Sequence, residues 1–377
     1  MERVGQPSKA APQYHAFAMW RFGAALLIMF YHFLHYSPEV DAWAHWFEHM
    51  LPLLDMFFMI SGYLIYERYA DKLRRPSAFL PFMFRRLARL YPLHAATTGF
   101  FILVGLVWQF GLLHSDAGAN RYDWSTLPAN ILLMQAWGLT DALTFNYVSW
   151  SLSAEWFCYM MAPLMVFVAL RAGIVGLIVL AIITYCFTEY AIAQGWTMGE
   201  TMGETKTWGA YRAFASFSLG AIASRLVKAR PFAVRSHVWG WLMMAALLWM
   251  MFQNVNFYII VSLMVLALFL AGSAEHDNPS GMRWARPLMP VMAVSFGVYL
   301  WHPVVETVFM SLIWKRILAD WVSFSVEAYV VIPGIVSIVV AMLSYYCYEK
   351  PVGAWLIARF SRQDVSSAVH SVARTGN

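Results

Sequence analysis

Arginine and histidine are costly inside a hydrophobic segment, and the first such segment of this chain holds both. The stretch from Tyr14 to Tyr36 carries Arg21 and His32, eleven positions apart. Eleven helical steps make about three turns and about 16 Å of rise, so both side chains fall on one stripe, one in each half of the span. Ionisable groups at membrane depth normally face a protein interior or a wet cavity. The pair therefore points to a reaction path through the bilayer. A neutral imidazole suits general-base work on a hydroxyl. The competing reading is a core histidine bonded to a neighbouring helix. Arg21 offers a permanently charged fork of donors, suited to a phosphate or amide oxygen. It equally suits a carboxylate within the bundle, or snorkelling towards the cytosol.

Composition fixes the setting. Hydrophobic residues make up 60% of the 377 and charged residues 12%, more apolar surface than a soluble domain of this size uses. The 18 tryptophans suit interfacial belts and an aromatic-lined cavity. The net charge of +5 is no nucleic-acid signal, because the basic residues sit mainly in alternate loops. Cys158, Cys186 and Cys347 lie scattered in apolar segments without metal-ligand spacing, so they read as packing residues and no metal site is expected. No small-x-small cleavage site follows the first apolar segment, which argues against a removed signal.

Segments of about 20 apolar residues predict an all-α, polytopic bundle of about ten transmembrane helices. They fall near 15–36, 47–66, 92–113, 151–170, 172–193, 208–226, 238–253, 256–273, 289–313 and 327–348. The expected organisation is a cytoplasmic segment 1–14, one membrane domain 15–351 and a polar cytoplasmic tail 352–377. With both termini cytoplasmic, inner loops and termini hold twenty of the 26 Lys and Arg residues. Outer loops hold only Arg121, Lys206, Lys315 and Arg316, a positive-inside asymmetry that supports an even number of spans. This orientation puts His32, His35, Asp55, Glu155, Glu189, Arg212 and Glu306 in outer halves, and His302 near mid-membrane. The outer half is thus expected to hold a polar chamber above a basic platform.

Other residues could serve such a chamber. Asp55 must be paired, hydrogen-bonded or protonated if buried. It either orients His32, as a carboxylate does in hydrolase triads, or forms a structural ion pair. The Ser61-Gly62 pair permits close helix packing. Residues 79–90 alternate basic and apolar faces, as an interfacial helix does, and their basic cluster suits anionic lipid. Ser149 or Ser151 could cap a helix whose first turns carry Trp150, Ser153 and Glu155. Trp150 either stacks on a substrate or anchors at the interface, and Glu155 could bind substrate hydroxyls. Pro303 should bend its helix beside His302, with Glu306 one turn outward. The outer loop from His114 to Ser149 offers Tyr122, Trp124, Trp137 and Tyr147 to a substrate. Its apolar run near 127–137 is too short to span.

Taken in order, these pieces resemble the membrane-bound acyltransferase 3 family, whose members O-acylate carbohydrates. The resemblance rests on Arg21 and His32 with ten residues between, DMFFMISGYLI at Asp55–Ile65 and FMFRRLARLYP at Phe82–Pro92. It continues through SWSLSAEWFCY at Ser149–Tyr159, VYLWHP at Val298–Pro303 and YEKP at Tyr348–Pro351. Leu90 stands where the family usually has isoleucine. His302 precedes Pro303 directly, where the family more often has one residue between. The resemblance implies His32 as catalytic histidine, tuned or oriented by Asp55 or Glu155. It implies Arg21, Arg86 and Arg89 as acyl-CoA contacts, with Trp150, Ser153 and His302 near the substrate. It further implies no permanently bound cofactor, with acyl-CoA, acetyl-CoA first, as co-substrate. The expected acceptor is a hydroxyl of a surface or secreted carbohydrate or a lipid-linked glycan, in a bacterial inner membrane. The rival readings are a transporter, which often shows internal repeats not evident here, and a polyprenyl-linked glycosyltransferase, which commonly carries a large outer domain.

Overall fold

The computed structural model describes residues 14–112, 118–319, 321 and 323–360. Residues 1–13 and 361–377, which hold most of the two expected cytoplasmic segments, lie outside the described residues. The fold is an all-α polytopic membrane bundle. Seven helical stretches are long and apolar enough to cross a membrane.

One of these, Trp150–Ala193, has 44 residues. As a single rod it would run about 66 Å, twice the hydrocarbon thickness. It does not run straight. Gly173 takes φ 63° and ψ −145°, a conformation open to glycine, and the chain reverses there. The helix Gly209–Ala229 records the reversal. It lies parallel to the first half, with Gly209 on Trp150 and Arg225 donating to the Ala169 carbonyl at 2.8 Å. It lies antiparallel to the second half, where Phe187 packs on Tyr211 and Gly173 comes near Arg225.

The Gly209–Ala229 helix also crosses Leu53–Tyr69 at backbone contact. A Cβ on Gly62 would sit 1.9 Å from the Phe217 carbonyl oxygen, and one on Gly220 1.9 Å from that of Met59. Gly62 is therefore spent on helix packing, as small residues are at membrane crossings.

Three elements differ from the expected boundaries. The basic stretch is not a separate interfacial helix, because one helix runs from Phe79 through Pro92 to Gln109. A proline in a helix bends it or removes one hydrogen bond without ending it. At 31 residues, about 46 Å, this helix exceeds the hydrocarbon core, so its basic first turns extend past one membrane face. The last helical stretch continues beyond 351 to Phe360, where Phe360 stacks on Phe84 at 4.1 Å and Gly353 abuts the Ala88 carbonyl. After Pro303 the helix Ser295–Val305 widens into π turns from Glu306 to Leu318.

Of the hydrophobic clusters, one joins the Leu53–Tyr69, Trp150–Ala193 and Gly209–Ala229 helices, and another joins His15–Leu34, Ser295–Val305 and Val331–Ser344. A third joins His15–Leu34 and Leu53–Tyr69 to Val238–Phe252 and Phe257–Asp277.

Candidate active site

Arg21 and His32 project from the His15–Leu34 helix into two adjoining cavities. The His32 cavity encloses about 590 Å³ including its open mouth, with Tyr31, Tyr147, Trp150 and Lys206 in its walls. The Arg21 cavity encloses about 430 Å³, with Phe57, Phe58, Ser151, Glu155 and Phe296 around it. Leu54 and Tyr299 line both and form the partition between them. The one-stripe geometry of the sequence thus places the arginine on one side of a thin apolar wall and the histidine on the other.

The His32 ring is enclosed by aromatic groups. His302 stacks on it with centroids 5.2 Å apart, Tyr147 meets it edge-on at 4.9 Å and His35 lies 6.0 Å away. Neither ring nitrogen of His32 has a hydrogen-bond partner among the described residues, so both are free towards the cavity. His302 is fully buried, and its ring has only the Val298 and Tyr299 backbone of its own preceding turn within reach, at poor hydrogen-bond geometry. The Tyr147 hydroxyl donates to Glu306 at 2.7 Å, and Tyr36 donates to the other Glu306 oxygen at 3.4 Å. The Arg121 guanidinium covers the Tyr147 ring at 5.4 Å. Asn146 donates to the Leu300 carbonyl at 3.2 Å, which ties the loop before Trp150 to the His302 helix and fixes Tyr147 against His32.

Asp55 does not orient His32. Its carboxylate is 0% exposed and takes Arg212 Nη2 at 2.7 Å, Arg212 Nε at 3.1 Å and the Ser216 hydroxyl at 2.7 Å. Arg212 spends Nη1 on the Met202 and Gly203 carbonyls, each at 2.7 Å. This is the structural ion pair of the two alternatives. The pair is hydrogen-bonded on both sides, as a buried ion pair requires. Glu155 is not against His32 either. Five residues below Trp150, about 7 Å deeper, it opens into the Arg21 cavity. There it accepts from Ser61 at 2.8 Å and Tyr159 at 2.5 Å. Ser153 is buried away from both cavities, donating to the Leu133 carbonyl at 2.8 Å and accepting from the Ala136 amide at 3.1 Å. Its hydroxyl pins the loop at Leu133 and Ala136 to the bundle. Trp150, buried in the wall beside His32, is no surface anchor.

Below the Arg21 cavity lies the basic end of the Phe79–Gln109 helix. Arg86 donates to the Tyr69 hydroxyl at 2.8 Å and stacks over the Tyr69, Phe82 and Tyr159 rings. Arg89 is exposed. Arg86, Tyr159, Glu155 and Arg21 thus form a polar file leading into the Arg21 cavity.

Of the four loop aromatics, only Tyr147 reaches His32. Tyr122 and Trp124 pack around Phe145, and Trp137 packs on Phe157. The sequence reading singled out neither the Leu54–Tyr299 partition nor Lys206. Lys206 carried one usable signal, as one of only four basic residues assigned to outer loops. Leu54 and Tyr299 carried none, since an apolar wall looks like core.

The arrangement offers a free imidazole in an aromatic cavity, a cation in the adjoining one, and a basic entrance beneath. That suits delivery of a group past a partition to a histidine-activated nucleophile. Acyltransferase MdmB of Streptomyces mycarofaciens is 33% identical over 113 residues, 29% of this chain and 27% of that protein. The chain thus aligns with about a quarter of the length of that curated relative. No solved structure matches. The profile of the acyltransferase 3 family, described as an acyltransferase domain, matches residues 14–347, nearly the whole of the described bundle. On that match the chain belongs to the acyltransferase 3 family.

Proposed function

We propose that this protein transfers an acyl group, acetyl first among them, from cytosolic acyl-CoA through the membrane to a carbohydrate hydroxyl. The acceptor is a surface or secreted glycan or its lipid-linked precursor, and His32 is the general base. The reading takes ten crossings with both termini cytoplasmic, in a bacterial inner membrane. The observation that carries it is the shared lining: Arg21 and His32 open into two cavities that have Leu54 and Tyr299 in common.

In this reading the CoA phosphates rest at Arg86 and Arg89, and the pantetheine arm rises past Arg21. The thioester passes between Leu54 and Tyr299. The hydroxyl oxygen attacks the thioester carbonyl while His32 accepts its proton. The tetrahedral intermediate collapses, the C–S bond breaks, and the thiolate leaving group recovers the proton from the imidazolium. The ester and CoA–SH are the products. Base catalysis of this kind contributes about 10²–10⁴-fold.

The test supplies acetyl-labelled acetyl-CoA and host glycans to membranes holding the protein or its His32→Ala form. The expected result is alkali-labile label in glycan, lowered at least about 100-fold by His32→Ala. Full labelling by a folded His32→Ala protein would overturn the mechanism.

A further inference from the structure

We propose that Lys206 binds a negatively charged substituent, carboxylate or phosphate, on the acyl acceptor. The inference rests on the acyltransferase reading and names the acceptor's chemistry. The His32 cavity is otherwise aromatic and aliphatic, its other polar side chains being His32, Trp150 and the tyrosines. A cation in such surroundings is costly unless something answers it. Arg212, nearby in the fold, is answered by the Asp55 carboxylate and two backbone carbonyls. Lys206 has no ion pair and no side-chain hydrogen bond among the described residues. Glu204, two positions earlier, instead accepts from Thr201 at 3.0 Å. Burial holds the Lys206 ammonium below the usual lysine range, with Glu204 opposing.

The side chain is not there by looseness of its loop. Arg212 holds the carbonyls of Met202 and Gly203, Thr205 donates to the Met202 carbonyl at 3.0 Å, and the Gly138 amide donates to the Thr207 carbonyl at 2.8 Å. Thr205 and Thr207, on either side of Lys206, are buried. The buried Asp55–Arg212 pair therefore sets the position of the lysine. Each cavity holds one cation without a carboxylate at ion-pair distance: Arg21 on the donor side and Lys206 on the acceptor side. A neutral sugar needs no cation there. A uronic acid or a sugar phosphate does.

The first test needs no turnover. Purified protein is treated with N-hydroxysuccinimidyl acetate, and acetylation of Lys206 is compared with that of Lys228 and Lys350 by mass spectrometry. Inorganic phosphate or glucuronate should slow acetylation of Lys206 several-fold, and glucose should not. The two anions separate a phosphate from a carboxylate. Equal labelling with and without both anions overturns the proposal. The second test is kinetic. Lys206→Met should raise the acceptor KM at least about tenfold with kcat and acyl-CoA affinity retained, and Lys206→Arg should restore most of it. A fall in kcat at constant KM would make Lys206 a stabiliser of the tetrahedral oxyanion. No change would leave it a structural cation. Either result overturns the acceptor role. Absence of any transfer by the wild type would sink the acyltransfer reading while the protection result stood.

Discussion

The imidazoles of His32 and His302 stack 19° from parallel with their centroids 5.2 Å apart. They come from two helices that run in the same direction, with Phe33 and Tyr299 closing around His302. One ring faces the cavity and the other is sealed in protein. A buried polar atom without a partner costs about 1–3 kcal/mol, and no well-formed hydrogen bond reaches either His302 nitrogen among the described residues. A phenyl ring would form the same wall at lower cost, so the retained nitrogens call for a direct test.

His302→Phe separates the two uses of that ring. If His302 serves as the flat wall that orients His32, the variant keeps its thermal stability and its transfer rate within about tenfold. That loss is far smaller than the factor of about 10²–10⁴ expected for losing the base itself. A loss equal to that of His32→Ala, in a protein of unchanged stability, would make His302 the base.

The Asp55–Arg212 pair leads to a different expectation. Arg212→Met leaves a buried carboxylate unpaired and should cost about 3–5 kcal/mol, read as a lowered unfolding temperature in detergent. Asp55→Leu combined with Arg212→Met removes both charges and should recover much of that stability. Transfer by the double variant should exceed that of His32→Ala, because Asp55 makes no contact with His32. A folded double variant as inactive as His32→Ala would return Asp55 to the catalytic machinery.

The helices were legible because a run of about 20 apolar residues has one meaning in a bilayer. The break near residue 171 was legible too, as the boundary between the spans 151–170 and 172–193. Where Pro92 was read as a boundary, the helix passes through it, because proline in a packed helix perturbs a single turn. The intramembrane ionisable residues were legible, and their partnerships were not. Asp55 and Arg212 are 157 positions apart, and nothing in either segment says that they meet. Charge asymmetry did carry hidden information. Of the four basic residues assigned to the outer side, Lys206 lines the His32 cavity and Arg121 covers Tyr147. A cation kept where the topology disfavours it is a functional candidate.

Gly62 fixes the crossing that brings Asp55 to Arg212. Gly62→Ala forces a methyl against the Phe217 carbonyl, which a backbone cannot yield without helix displacement. Overpacking of this kind costs about 1–3 kcal/mol. The unfolding temperature should fall, and Gly220→Ala should do the same at the reciprocal contact with Met59. Wild-type stability in both variants would show that the two helices can separate freely at this point.

Tyr299 and Leu54 stand between the cation and the base, so they are placed to limit the size of the group that passes. Tyr299→Ala opens the partition while leaving Arg21 and His32 in position. A butanoyl group carries two more methylenes than acetyl, each worth about 0.8 kcal/mol when buried. Tyr299→Ala should therefore raise the preference for butanoyl-CoA over acetyl-CoA, as a ratio of kcat/KM, by about tenfold. Leu54→Trp, which thickens the wall, should lower transfer from both donors and leave acyl-CoA binding at the basic entrance intact. The competition is read with the two donors mixed and the ester products separated by mass. An unchanged ratio in Tyr299→Ala, with Leu54→Trp fully active, would mean that the acyl group does not cross between these residues, and that the two cavities serve separate ligands.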